Sequence, residues 1–109
     1  MAYKSEFRYH DVIVRDKNGK NKNIPHPAYI WQKRNNLYDY HSITHSKKVK
    51  GIKLRKFKVN PNPKDKRKSY YEVKSRSDFV FNFGKRKKEW KIHPLDKRKI
   101  HKNKKVDSA

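Results

Sequence analysis

The chain contains no cysteine, which removes disulfide scaffolds, thiolate zinc sites and cysteine nucleophiles together. Acids are scarce: 10 Asp and Glu stand against 32 Lys and Arg, a formal net charge of +22 over 109 residues. Asp39, Asp65, Glu72, Asp78 and Asp96 each stand singly among cations. No paired-carboxylate constellation for glycosidase or two-metal chemistry is visible, and these acids read as local neutralisers of a basic surface. Glycine occurs three times, at Gly19, Gly51 and Gly84, too widely spaced for a phosphate-cradling loop. Nucleotide hydrolysis is therefore not expected, and no cofactor is implied. No run approaches the ~20 apolar residues of a membrane span, and no apolar signal segment follows Met1. The expectation is a cytoplasmic protein with no membrane partner.

Apolar residues make up 32% of the chain, below the ~45–50% of an ordinary domain. Low hydrophobicity with high charge is the signature of disorder. The aromatics argue against it: seven Tyr, five Phe and two Trp fall largely in short alternating runs, which basic tails do not need. The reading is a folded centre whose small core is built largely from rings.

Local signals divide the chain. Residues 1–23 read as an N-terminal arm or a first hairpin, with Phe7 and Tyr9 in alternation and a turn at Asn18-Gly19. Pro25 and Pro27 fit only the start or the edge of a strand that continues through Ala28–Trp31. Lys33–Asn36 is a turn and Leu37–Thr44 the next strand, with Tyr38, Tyr40, Ser42 and Thr44 on one face and Leu37, Asp39, His41 and Ile43 on the other. Ile52–Arg55 alternates apolar and basic residues. Asn60–Asp65 is a fixed loop, Ser69–Val73 a strand, and Ser77–Phe83 holds another, with Phe79, Phe81 and Phe83 alternating until Gly84 breaks it. Pro94 opens a short helix over Leu95–His101. The fold class is mainly β: a small SH3-like barrel of five or six short strands with one short C-terminal helix. The barrel domain spans 24–101, and 102–109 read as a flexible basic tail.

The positive charge is uneven, with a net +7 over residues 1–50 and +15 over 51–109. Lys53, Arg55, Lys56 and Lys58 lie on and beside one strand, Lys66, Arg67 and Lys68 follow the proline loop, and Lys85, Arg86, Lys87 and Lys88 form a run. These are the candidate nucleic-acid-binding residues, because about 6–10 phosphate contacts give strong, salt-dependent affinity. With no long helix to read a DNA groove, RNA is favoured over DNA. Tyr29, Trp31, Tyr38 and Tyr40 fit either a base-stacking platform or the core, and the lack of aliphatics favours the core. Three histidines, His26, His41 and His45, have zinc-ligand chemistry, but strand residues four apart lie about 13 Å apart, so no metal site is expected.

His26-Pro27 before the apolar strand AYIW, a second strand ending Ile43-Thr44-His45-Ser46, and then Ile52-Lys53-Leu54 together resemble the PemK/MazF-like proteins. These are small SH3-like barrels of toxin–antitoxin systems and related phage and mobile-element proteins. Trp90 to Ile100 is similar to that family's C-terminal helix. The resemblance covers residues 24–101 and implies metal-independent RNA cleavage in a bacterial or phage-infected cell. Thr44 matches the family's Thr. His26 stands where the family has Arg; it either takes over proton transfer or marks a site that only binds. His26, Thr44 and His45 are the candidate catalytic residues. The partners implied are RNA and an acidic antitoxin-like protein. The alternative is a non-catalytic nucleic-acid-binding module: a ribonucleoprotein subunit, or a phage or mobile-element inhibitor of a nucleic-acid-guided defence complex.

Overall fold

The computed structural model describes residues 3–15 and 17–102. Most of the expected basic tail, residues 103–109, lies outside the described residues. Gly19, at φ 76°, turns strand β1 (Glu6–Arg15) into β2 (Asn21–Arg34), and the two pair antiparallel over ten positions from Glu6↔Ile30 to Arg15↔Asn21. Asn35 takes φ 54°, a left-handed conformation that Asn tolerates, and a two-residue turn leads into β3 (Leu37–Thr44). Lys33 and Arg34 are thus strand rather than turn.

The pairing of β2 with β3 runs from Arg34↔Leu37 to Ala28↔Ser42, with Trp31 as an extra residue between Ile30 and Gln32. It stops at Ala28 for a backbone reason. Alternate residues of a strand send their N–H and C=O to opposite sides. Pro25 and Pro27 lack an N–H, so an unbroken ladder with β1 needs their nitrogens to face away from it. The next hydrogen-bonded pair with β3 would need an N–H from Pro27. The amino-terminal half of β2 is therefore an edge, as the proline rule requires.

Beyond this hairpin lie three short strands, β4 (Leu54–Lys56), β5 (Tyr70–Glu72) and β6 (Arg76–Phe79), then a 3₁₀ turn (Val80–Asn82), β7 (Phe83–Arg86) and helix α1 (Pro94–His101). The sheet order is β4-β5-β3-β2-β1-β7, with β6 also paired to β3. The protein is mainly β; the described residues form seven strands rather than five or six, all antiparallel, and among them the hydrogen-bonded sheet does not close into a barrel. Gly84 does not break a strand but lies within β7, where an added Cβ would sit in ordinary contact 3.8 Å from the Tyr9 carbonyl. The alternation through Phe83 fails because the 3₁₀ turn advances about 120° per residue rather than 180°.

Both faces of the β2–β3 hairpin are packed. On one, Phe7, Tyr29, Ile43, Phe57, Tyr71 and Ile100 form a buried cluster flanked by Trp31, Trp90 and Ile92. On the other, Ala28, Ile30, Tyr38 and Tyr40 are covered by Tyr3, Val80 and Phe83. Tyr29, Tyr38 and Tyr40 are core, not a surface platform. Of the pair Tyr70 and Tyr71, only Tyr71 is buried. His93 caps α1: its Nδ1 accepts the Leu95 N–H at 3.1 Å, and Pro94 takes the first helical position. No helix among the described residues is long and apolar enough to cross a membrane.

Candidate functional site

Where β2 and β3 part, a pocket of about 440 Å³ opens. His26 enters from β2, Ser42 and Thr44 from β3, His10 from β1, and Glu72 and Arg76 from the β5–β6 region. Val49, Ile52 and Leu54 supply an apolar wall. The register explains the gathering: His10 pairs with His26 across β1–β2, and carrying the β2–β3 register past Ala28↔Ser42 sets His26 level with Thr44. Two of the three candidate catalytic residues therefore share one pocket.

His45 does not join them. Its Nδ1 lies 3.3 Å from the Lys68 carbonyl and its Nε2 3.2 Å from Asp65 Oδ2, which places it with the loop after β4. The strand ends at Thr44, so His45 escapes the strand alternation assumed for it. The Thr44 hydroxyl accepts the Ser46 N–H at 3.1 Å, a local turn bond.

His10, missed from sequence, is with Glu72 a buried polar group of the pocket. It is 7% exposed, stacks on Phe83 at 4.5 Å and 23°, and lies 4.7 Å from the Tyr40 ring. Its Nε2 is 2.6 Å from Asp78 Oδ2, and its Nδ1 has no hydrogen-bond partner. Burial pushes the Asp78 carboxyl up, but His10, Asn82 and the Phe79 N–H outweigh it and hold Asp78 below the ordinary range. Across the pocket, the Arg76 guanidinium is anchored on Glu72 by Nε at 2.8–2.9 Å. Tyr40 is pushed up to about 12 by burial and by Asp78, so it stays protonated near neutrality and acts only as a neutral hydroxyl there. The only sequence signal for His10 was its place in the alternating YHDV run, which does not separate a core histidine from a functional one.

A second concavity, about 420 Å³, is lined by Lys56, Lys58, Lys66, Arg67 and Lys68 around Phe57 and the Asn60–Pro63 loop. The structure thus brings five of the candidate RNA-binding residues together. Asx-type bonds shape its rim: Asn60 Oδ1 accepts from the Asn62 N–H at 3.0 Å, and Asn62 Oδ1 from the Lys64 N–H at 3.0 Å. Arg67 is not a free cation, because it grips Asp65 through Nε and Nη2 at 3.0 and 2.8 Å. Those bonds, with the Arg67 N–H, pull the Asp65 carboxyl down to about 2. Lys53 and Arg55 are exposed on the approach to and within β4. In the run Lys85–Lys88, Arg86 lies 3.6 Å from Glu6, Lys87 sits 4.9 Å over the Tyr9 ring, and Lys85 and Lys88 are exposed.

Asp39, Asp65 and Glu72 neutralise nearby arginines, as their spacing suggests, pairing with Arg34, Arg67 and Arg76. Asp39, Glu72 and Asp96 are buried. Asp39 binds Arg34, Gln32 and Ser77. Its carboxyl is raised by burial, but those hydrogen bonds more than offset this and hold it below the ordinary range. Asp96 accepts the Lys58 and Val59 N–H groups at 2.9–3.3 Å, fastening α1 beneath the basic concavity. A carboxylate so satisfied needs no cation, which leaves nearby surface lysines uncompensated. Among the described residues no cluster of three or more His, Asp or Glu is arranged to hold a metal.

Comparison with known proteins adds no relative: no protein-family model matches the chain, and no curated protein or solved structure matches it.

Proposed function

We propose that this is an RNA-binding protein of the cytoplasm, built on an SH3-like barrel of the PemK/MazF-like kind. The observation that carries the reading is the sorting of charge. The buried carboxylates are taken up by Arg34, Arg76 and, for Asp96, backbone N–H groups, while exposed lysines ring a concavity at Lys56–Lys68. A surface made for solubility alone mixes signs. In favour of the barrel, β6 and β7 flank the path β3-β2-β1 and are joined by the short turn Val80–Asn82, with Val80 and Phe83 packed against the core between them.

A second reading, metal-independent endoribonuclease, draws on the convergence of His26, Thr44, His10 and Arg76 on one pocket. A histidine there would take the 2′-hydroxyl proton, the 2′-oxygen would attack phosphorus as the P–O5′ bond breaks, water would protonate the departing 5′-oxygen, and Arg76 would balance the charge on the phosphoryl oxygens. The products would be a 2′,3′-cyclic phosphate and a free 5′-hydroxyl. An acidic antitoxin-like protein is the partner that goes with this reading.

One experiment addresses both. Single-stranded RNA is titrated with protein over a salt series, without divalent metal, and the same samples are run on a denaturing gel. Salt-dependent binding with intact RNA supports the binding protein alone. Discrete cleavage that disappears in His26→Ala and Thr44→Ala supports the enzyme. Absence of binding at low salt sinks both readings.

A further inference from the structure

Among the described residues, Phe79 and Phe81 form an exposed aromatic pair. Phe81 is 75% exposed and Phe79 44%, and their rings stack 5.2 Å apart within 6° of parallel. Neither is a failed core residue, because the 3₁₀ turn sends Phe83 inward onto Tyr38, Tyr40 and His10 while Phe81 stays outside. The turn is held by the Val80 N–H donating to the Asn36 carbonyl at 2.8 Å, so the segment that carries the rings runs beside the Asn35–Asn36 turn. The strand ends beside that turn carry Lys33 and Arg34, and Arg34 reaches Ser77 on the same strand as Phe79 at 3.2 Å. Of the carboxylates near the rings, Asp78 is occupied by His10, Asn82 and the Phe79 N–H, and Asp39 by Arg34, Gln32 and Ser77.

We propose that Phe79 and Phe81 are a stacking platform for unpaired bases of an RNA strand. The inference rests on the RNA-binding reading and adds to it a preference for single-stranded RNA. Two parallel rings leave outer π-faces open, and every base offers a matching face. The exposed Lys33 suits a phosphate that accompanies those bases, while Arg34 is held by Asp39. A second copy of this chain fits worse, because each copy carries +22.

The test is fluorescence anisotropy with a single-stranded RNA 12-mer and with an RNA duplex of equal length, over a salt series. The proteins are wild type, Phe81→Leu and the Phe79→Ala/Phe81→Ala double variant, with thermal unfolding as the folding control. The double variant is expected to lose about tenfold or more in affinity for the single strand and nothing for the duplex. Its salt slope should be unchanged, because no phosphate contact is removed. Phe81→Leu keeps the apolar bulk but loses the π-face, and should fall in between. Equal affinities in all three proteins, or equal losses on single strand and duplex, overturn the platform while leaving RNA binding intact. So does a concentration-dependent wild-type dimer that the double variant abolishes with RNA affinity unchanged. A wild type that binds neither RNA removes the RNA-binding reading itself.

Discussion

Asp96→Ala tests whether one inward carboxylate holds the helix and the basic concavity together. Asp96 is 1% exposed and accepts two backbone donors, the N–H groups of Lys58 and Val59. A hydrogen bond to a charged group contributes about 1.5–3 kcal/mol. Asp96 also stands in the first turn of α1, where a negative charge gains about 0.3–1 kcal/mol from the helix dipole. Lys58 and Val59 are exposed enough for water to satisfy part of what is lost, so the low end of each range applies, giving about 3 kcal/mol. For a domain of this size that is a fall of about 12–24 °C in Tm. Thermal unfolding followed by near-ultraviolet circular dichroism reports it directly, because the rings dominate the core. Asp96→Asn retains one carbonyl acceptor and should fall about half as far. RNA affinity should weaken in both variants at temperatures where they remain folded, because the Lys56–Lys58 segment loses its anchor. A Tm change below about 4 °C for Asp96→Ala would refute the role given to this carboxylate.

Acid should destabilise the protein through Asp39 and Asp78, whose carboxyls lie below the ordinary range in the folded state. Their contribution is fully present above about pH 4, the unfolded value, and is lost as pH falls through the lower folded value. Urea midpoints between pH 6 and pH 2 should therefore drop steeply, and Asp39→Asn should show a shallower acid limb than wild type. Within the Lys85–Lys88 run, Lys85→Ala/Lys88→Ala should make the salt slope of RNA binding shallower by up to about 1.4, at ~0.7 per contact for single strands. Arg86→Ala/Lys87→Ala should instead lower the urea midpoint, because those side chains engage Glu6 and Tyr9; the opposite pattern would show the engaged pair facing RNA.

The parts of the fold legible in sequence were those set by local chemistry. Gly19 and Asn35 mark turns because both occupy positive φ, and His93-Pro94 starts the helix because both residues serve its first turn. The two faces of Leu37–Thr44 follow from alternation alone, with Tyr38 and Tyr40 in one cluster and Ile43 in the other. The sequence misled wherever an irregularity reset the period. The 3₁₀ turn at Val80–Asn82 parts Phe83 from Phe79 and Phe81, and the strand end at Thr44 sends His45 to a different site from His26. His10 and Asp78, 68 positions apart, meet only through the pairing of β1 with β7 and β3 with β6, which no local pattern encodes. The inward acids escaped notice for a related reason: composition counts charges without saying which carboxylates are buried or, as with Asp96, already spent on backbone N–H groups.

Pro25 and Pro27 give the pocket a kind of permanence. Cavities bounded by side chains can collapse when a neighbouring rotamer turns or a residue is trimmed. This opening lies where two strands that pair beyond Ala28 can no longer zip, because one of them has no N–H to donate across the gap. The vacancy is written into the main chain. Its lining at His26, Ser42 or Thr44 can vary in size or chemistry without the strands closing over it, while the hairpin beneath stays the same.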